Sequence, residues 1–345
     1  MEEKYGEAIS IAKSEDEKKK ILEEYIKGEP EAITSKLAVE PVLRSSILGL
    51  ISTGFIYTEE GLFDFFKSTF YGFQFKDDLA LNEKLIRILE KLEKYEFIIR
   101  DKEKLKVTLL GKRIAELYID PESAWTLING LKKGSGNMPA ISALQLICST
   151  VEMEPIRVTS AEWDEIQSKM LDVENTFLIK KPSEWDPDYE FFTASVKTAF
   201  ILEDWIEEKS EEYILEKYKL RPGGLYIKLQ NADWLLYSCQ ELARILNLKP
   251  LQVPIRKTRL RMKYGIRETL IPLVKLRNVG RVRARKLFSI GVKDLGDLKK
   301  LDVNKLSALF GTAIAISLKE QVGIKVDSSK ITKTNKRGQQ DLNSY

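Results

Sequence analysis

Apolar residues recur at three- and four-residue spacing along most of this chain, and the two-residue alternation of strands is confined to short runs. The pattern predicts a mainly α protein. Helical spacing covers Pro41 to Thr53, Thr58 to Thr69 and Leu81 to Lys94; strand-like runs follow at Phe97 to Arg100 and Leu105 to Leu109, across the polar turn Asp101 to Lys104. Helices closed by a small β-hairpin outline a winged helix. Ahead of them, Ala8 to Ala12 reads as a short strand with nothing to pair with, and Ser14 with Glu17 as the capping box of a helix. From Asp120 to about Pro250 the spacing is helical nearly throughout, with breaks expected at Gly134 to Pro139, Lys181 to Pro187 and Arg221 to Gly224.

The helix after Pro222-Gly223-Gly224 carries a core stripe of Leu225, Leu229, Ala232, Leu236, Cys239, Ala243 and Leu246. Trp234 falls about 160° from Leu236 on the helical wheel, with Ile227 two turns earlier. An indole off the core face is either a stacking platform for an unpaired base or buried against a neighbouring helix. Trp125, Trp163, Trp185 and Trp205 lack such a context and are expected in core or interface.

Leu273 to Gly291, LVKLRNVGRVRARKLFSIG, joins a tight Asn-Val-Gly turn to a helix start bearing Arg281, Arg283 and Arg285. Amides at a helix N-terminus with neighbouring arginines suit phosphate, which reads as a helix-hairpin-helix; the alternative is a solvated basic helix face. Leu276, Val279, Val282, Leu287 and Phe288 are expected to pack the two helices, with Ala284 allowing close approach. Asn278, where a second glycine is common, tolerates a left-handed backbone. A second, weaker hairpin at Leu309-Phe310-Gly311-Thr312 is expected to be structural.

Charge sharpens that picture. The chain carries a net charge of +4, but residues 256–345 carry +15 and residues 1–255 therefore −11. Such asymmetry points to a polyanion partner at the C-terminal end. There is no histidine, which removes histidine-based nucleophile schemes and His-containing zinc sites. Cys148 and Cys239 are expected as buried free thiols. No G-x-x-x-x-G-K-[ST] phosphate loop occurs; Gly130 to Gly136 is glycine-rich without its ending and reads as an interhelical loop. Without an apolar run long enough for a bilayer or a signal-peptide pattern, a cytoplasmic protein is expected. Abundant Lys, Glu and Ile lean toward a thermophile.

In order, the stretches EKYGEAISIA, ITSKLAVEP, LLGKRIAELYIDPESA, KTAFILEDWIEE, EKYKLRPGGLY, NADWLLYS and LVKLRNVGRVRARKLF make the chain resemble the C-terminal half of archaeal superfamily 2 DNA helicases of the Hjm type, related to the animal HelQ helicases. The resemblance implies a remnant strand and helix of the second motor domain at 1–27, a winged helix at 28–118, a helical ratchet domain at 119–255, a helix-hairpin-helix domain at 256–325 and a disordered tail at 326–345. It also implies an ATP-dependent 3′ to 5′ helicase acting on forked or stalled replication DNA, with ATP and Mg²⁺ bound in motor domains upstream of Met1. This chain itself is expected to bind single-stranded or forked DNA without hydrolysing ATP. Within it, Trp234 matches the tryptophan that stacks on the unwound strand. Ile227 stands where the family tends to have arginine, and Lys228 could replace that arginine only by reaching around the helix. The hairpin residues Asn278, Gly280, Arg281, Arg283, Arg285 and Lys286 match the basic segment that grips emerging single strand.

In the tail, Gln339, Leu342 and Tyr345 have the spacing of a sliding-clamp-binding peptide, the alternative being an uninvolved solvated tail. Two other readings stay open. One is a motorless DNA adaptor that recruits repair or clamp proteins. The other is an RNA-binding module of a related helicase.

Overall fold

The computed structural model describes residues 6–102 and 104–326. Among the described residues the fold is mainly α, and its one sheet is a two-stranded antiparallel hairpin. The clamp-motif residues Gln339, Leu342 and Tyr345 lie outside the described residues, as does all of the expected tail beyond Val326.

At the N-terminal end the expected strand is not formed: residues 8–12 have no ladder partner and are largely exposed. A strand needs a neighbour for its backbone groups, and no other segment of the described chain supplies one. Helix α1 (Glu15–Ile21) does open at Ser14, whose side chain accepts from the Glu17 amide. The carboxylate of Glu17 accepts from the Lys13 amide at 2.6 Å, one residue earlier than the capping box predicts. None of the α1 residues is buried.

Next come α2 (Glu40–Ser52), α3 (Glu59–Lys67), α4 (Phe70–Phe75) and α5 (Asp78–Lys94), then β1 (Ile98–Asp101), β2 (Lys104–Val107) and α6 (Leu109–Leu117). Thr58, Thr69, Asp77 and Thr108 cap α3, α4, α5 and α6 by accepting a first-turn amide, so polar punctuation sets these boundaries. The strands pair with Ile98 opposite Val107 and Asp101 opposite Lys104, which turns Ile98 and Leu105 into the core. Helix α6 then crosses close to the hairpin at Gly111, where an added Cβ would lie 1.9 Å from the Phe97 carbonyl oxygen.

A larger helical layer follows: α7 (Pro121–Leu131), α8 (Ala140–Cys148), α9 (Trp163–Val173), α10 (Tyr189–Ile206), α11 (Glu211–Tyr218), α12 (Pro222–Ile245) and α13 (Lys249–Tyr264). Every residue of α8 from Ile141 to Cys148 is buried, making it the centre of the layer. Two details differ from the sequence pattern. Residues 149–162 are not helical apart from two short 3₁₀ turns. There Glu152 draws the chain back to α7, accepting from the Asp120 amide at 2.7 Å and the Ser123 hydroxyl at 2.6 Å. The break before α12 ends at Arg221, because Pro222 serves as the first helical residue and both following glycines lie in the first turn.

Helix α13 runs unbroken through residues 255–256 and leads into a second cluster with its own core. This comprises α14 (Ile271–Val274), α15 (Arg281–Ser289), α16 (Leu295–Lys300), α17 (Val303–Phe310) and α18 (Thr312–Gln321). The turn between α17 and α18 is Gly311, at φ 87°. Lys319 of α18 is buried, and its ammonium donates to the carbonyls of Leu298, Lys299 and Leu301, which would otherwise be unsatisfied at the end of α16.

The hairpin-bearing cluster is tied to the larger layer by Arg44 of α2. Its buried guanidinium forks onto Asp120 at 2.8 and 2.6 Å and also meets Glu122 and Glu40. Arg44→Ala should destabilise the protein by about 3–5 kcal/mol in urea unfolding, because Asp120 is left charged and buried; an unchanged midpoint would show that Asp120 is solvated there. Within the larger layer, Glu162 pairs with the buried Lys197 at 2.8 Å. Burial pushes the Glu162 carboxyl up, but hydrogen bonds from Lys197 and Thr159 outweigh it and hold the group below its usual 4.5. A lowered folded-state value gives stability that is present above the unfolded value and lost as pH falls through the folded one. Glu162→Gln should therefore flatten the stability profile at pH values below about 4.5, as read by urea titrations at a series of pH values.

Candidate nucleic-acid interface

Helix α12 presents three different sides. Leu225, Ala232, Leu236, Cys239 and Ala243 are buried, as their spacing predicts. On a second side, Trp234 is half-buried and Ile227, two turns earlier, is 56% exposed. The indole N–H of Trp234 donates to the carbonyl of Leu117, the last residue of α6, at 2.9 Å, so the ring bridges the layer to the hairpin-bearing cluster.

Lys228 corrects an expectation. It does not reach round to this side; it is buried, and its ammonium donates to the carbonyls of Met153 at 2.5 Å and Glu154 at 2.7 Å. Burial lowers its pKa from the usual 10.5. The 100° step from Ile227 aims it at the turn after α8, where those carbonyls need donors.

The hairpin has the expected backbone. Asn278 sits at φ 65°, and Gly280 is the extended N-cap of α15. Leu276, Val279, Ala284 and Leu287 are buried and Phe288 is half-buried, but Val282 is 65% exposed and packs nothing.

The arginines are a larger correction, since two of the three are held by the end of α10. Arg281 lies over the Trp205 ring at 4.7 Å and donates to the Lys209 carbonyl at 2.7 Å. Burial, then the neighbouring Arg285, lowers its pKa, and its buried Nε has no acceptor. Arg285 donates to the Glu208 carboxylate at 2.9 Å and to the Glu208 carbonyl at 2.7 Å. Arg283 instead reaches back to the Asn278 carbonyl at 2.6 Å and, like the exposed Lys286, forms no ion pair among the described residues.

Sequence reasoning missed the partners in this joint. Trp205, Glu207, Glu208 and Lys209 lie where α10 ends, and Glu208 itself is left-handed at φ 72°. Glu207 takes Arg261 at 2.5 Å and Arg267 at 3.4 Å. Trp205 donates its N–H to the Met262 carbonyl at 2.8 Å. The available signal was an acidic pair at a helix end facing an arginine-rich segment, which says that a pairing is possible but not with which arginine.

Of the other tryptophans, Trp125 stacks on Tyr95 at 4.7 Å, whereas Trp163 is 38% exposed and Trp185, between Pro182 and Pro187, is 95% exposed, against expectation. Cys148 and Cys239 are buried free thiols, and burial pushes Cys239 up to about 12. Among the described residues no three Cys, Asp or Glu side chains converge as a metal site, and no helix is long and apolar enough to cross a membrane.

Residues 141–265, from the second residue of α8 to Gly265 just past α13 and including Trp234, match the family described as archaeal helicase, domain 4. The chain is 36% identical over 331 residues to the ATP-dependent DNA helicase Hel308 of Methanocaldococcus jannaschii, covering 95% of this chain and 26% of that protein. With the Hel308 helicases of Pyrococcus abyssi and Methanocella arvoryzae the identities are 35% and 34%, covering 97% and 94% of this chain and 47% and 44% of theirs. The chain is thus homologous along nearly all its length to archaeal Hel308-type DNA helicases, and it spans less than half the length of these relatives.

Gly265 makes the joint possible. It sits at φ 60°, and an added Cβ would lie 2.7 Å from the Trp205 ring and 3.1 Å from the Arg281 guanidinium. Gly265→Ala should lower the stability by about 1–3 kcal/mol and increase hydrogen exchange at residues 281–289; wild-type exchange there would show that the joint does not depend on this contact.

Proposed function

We propose that this chain is the DNA-binding and strand-ratcheting module of an ATP-dependent helicase. The reading is supported above all by α12. Within the segment that matches the archaeal helicase domain, it carries a half-buried indole packed at the edge of the core, two turns from the exposed Ile227. Because Leu117 already accepts the Trp234 N–H, the ring has no donor left for a base edge and offers apolar surface. Such a platform stacks on any base, as a translocating enzyme needs. At Ile227 the same side offers no charge, so its hold on the strand is by stacking and apolar contact. Phosphate contact falls to Arg283 and Lys286, while Arg281 and Arg285 hold the hairpin in place.

On this reading the α2–α6 cluster is a winged helix, the α7–α13 layer is the ratchet domain and residues beyond it form a helix-hairpin-helix domain. In the complete enzyme, ATP and Mg²⁺ in motor domains outside this chain drive 3′ to 5′ stepping on forked DNA. The contribution of this chain is to bind and orient the unwound strand.

Anisotropy of a labelled oligothymidylate across a salt series tests the assignment. Trp234→Ala should weaken binding by about 1–3 kcal/mol with little change in salt slope. Replacing Arg283 and Lys286 together by Ala should reduce the slope of log K against log salt by about 1.4. Wild-type affinity in both variants would overturn the assigned contacts.

A further inference from the structure

Helix α12 has a third side. Between about 40° and 100° around the wheel from Trp234, its Gln230, Tyr226 and Asp233 line a cleft of about 990 Å³ that is partly open to solvent. Helix α13 contributes Arg256, Leu260 and Lys263 to the lining, and Lys275 just after α14 joins them. The cleft therefore spans the helical layer and the hairpin cluster.

Its charges are unevenly used. Arg259 is forked onto Asp233 at 2.9 and 3.0 Å, and Lys257 is 2.6 Å from Glu268. Arg256, Lys263 and Lys275 are exposed and form no ion pair among the described residues. Glu211 and Asp233 are the carboxylates in the lining, and Arg259 already neutralises Asp233. The remaining surface is apolar, from Leu225, Leu229 and Leu260, with the Tyr226 ring 64% exposed. A small-molecule site would bring a few polar groups together at one point in an enclosed cavity. Here the free cations are spread along an open trough beside an accessible aromatic ring, the combination that suits a nucleic-acid strand.

We propose that this cleft is a second binding site for single-stranded DNA, distinct from the Trp234 side of α12. Arg256, Lys263 and Lys275 contact its phosphates, and Tyr226 stacks on a base. The proposal rests on the reading of the chain as a DNA-binding module and adds a path for the strand across α12 toward α14.

The test uses the whole chain and a labelled oligothymidylate. Arg256, Lys263 and Lys275 changed together to Ala should lower affinity at least about tenfold at 0.1 M salt and reduce the salt slope by about 2. Tyr226→Ala should weaken binding without moving the slope. Val253→Cys on α13, an exposed cleft residue, carrying a photoreactive maleimide, should crosslink the oligonucleotide; the two native thiols are buried, which confines labelling to the new one. If the triple variant binds like wild type and no crosslink forms while Trp234→Ala still weakens binding, the cleft is not on the strand's path and the function stands. A reduced slope without crosslinking would mean that the cations act only as a distant field, which also overturns the cleft. If the wild-type chain fails to bind the oligonucleotide, both readings fall.

Discussion

The joint at the end of α10 sets the arrangement on which the rest depends. Two carboxylates and two carbonyls, from Glu207, Glu208 and Lys209, meet Arg261, Arg267, Arg281 and Arg285, and Trp205 lies under one guanidinium. Ion pairs at a surface contribute little singly, but this set is partly buried and shares partners, so each side chain is already restrained by its neighbours. Arg285 grips both the carboxylate and the carbonyl of Glu208, which offsets the cost of holding a non-glycine residue left-handed. The hairpin is thereby fixed against the helical layer, and the donors of Arg281 and Arg285 are withdrawn into contacts with protein.

That withdrawal alters how the basic end can work. The positive excess of residues 256–345 remains, but it is carried at the surface by residues such as Arg256, Lys263, Lys275, Arg283 and Lys286. Charge is therefore spread over a cleft and a hairpin lip and is not focused at the N-terminus of α15. In the binding mode proposed above, a strand is contacted at several weak points, which permits sliding with little sequence preference. In the same proposal Trp234 supplies a different kind of contact, apolar, with the ring fixed in orientation by Leu117.

Much of this was legible in the sequence where one local rule decides the outcome. Spacing located the core side of α12, and Ser14 marked where α1 begins. Asn278 was readable as left-handed because few other side chains tolerate that backbone. The strand at residues 8–12 was misread because alternation describes a face and says nothing of a partner. Lys228 was misread because a helical wheel gives direction without saying what waits there: in this fold, two carbonyls in need of a donor.

By itself the sequence determined the mainly α fold, the position of the hairpin, the buried thiols and the uneven distribution of charge, because each follows from periodicity, backbone preference or composition. Only the tertiary structure decided which of the basic residues are free. Partner choice among many arginines and few carboxylates depends on where distant segments come to rest, and α10 and α15 are about 75 residues apart in the chain. For the same reason the cleft beside α12 has no sequence signature: its walls come from five helices, α10 to α14, and a concave surface exists only once they are packed.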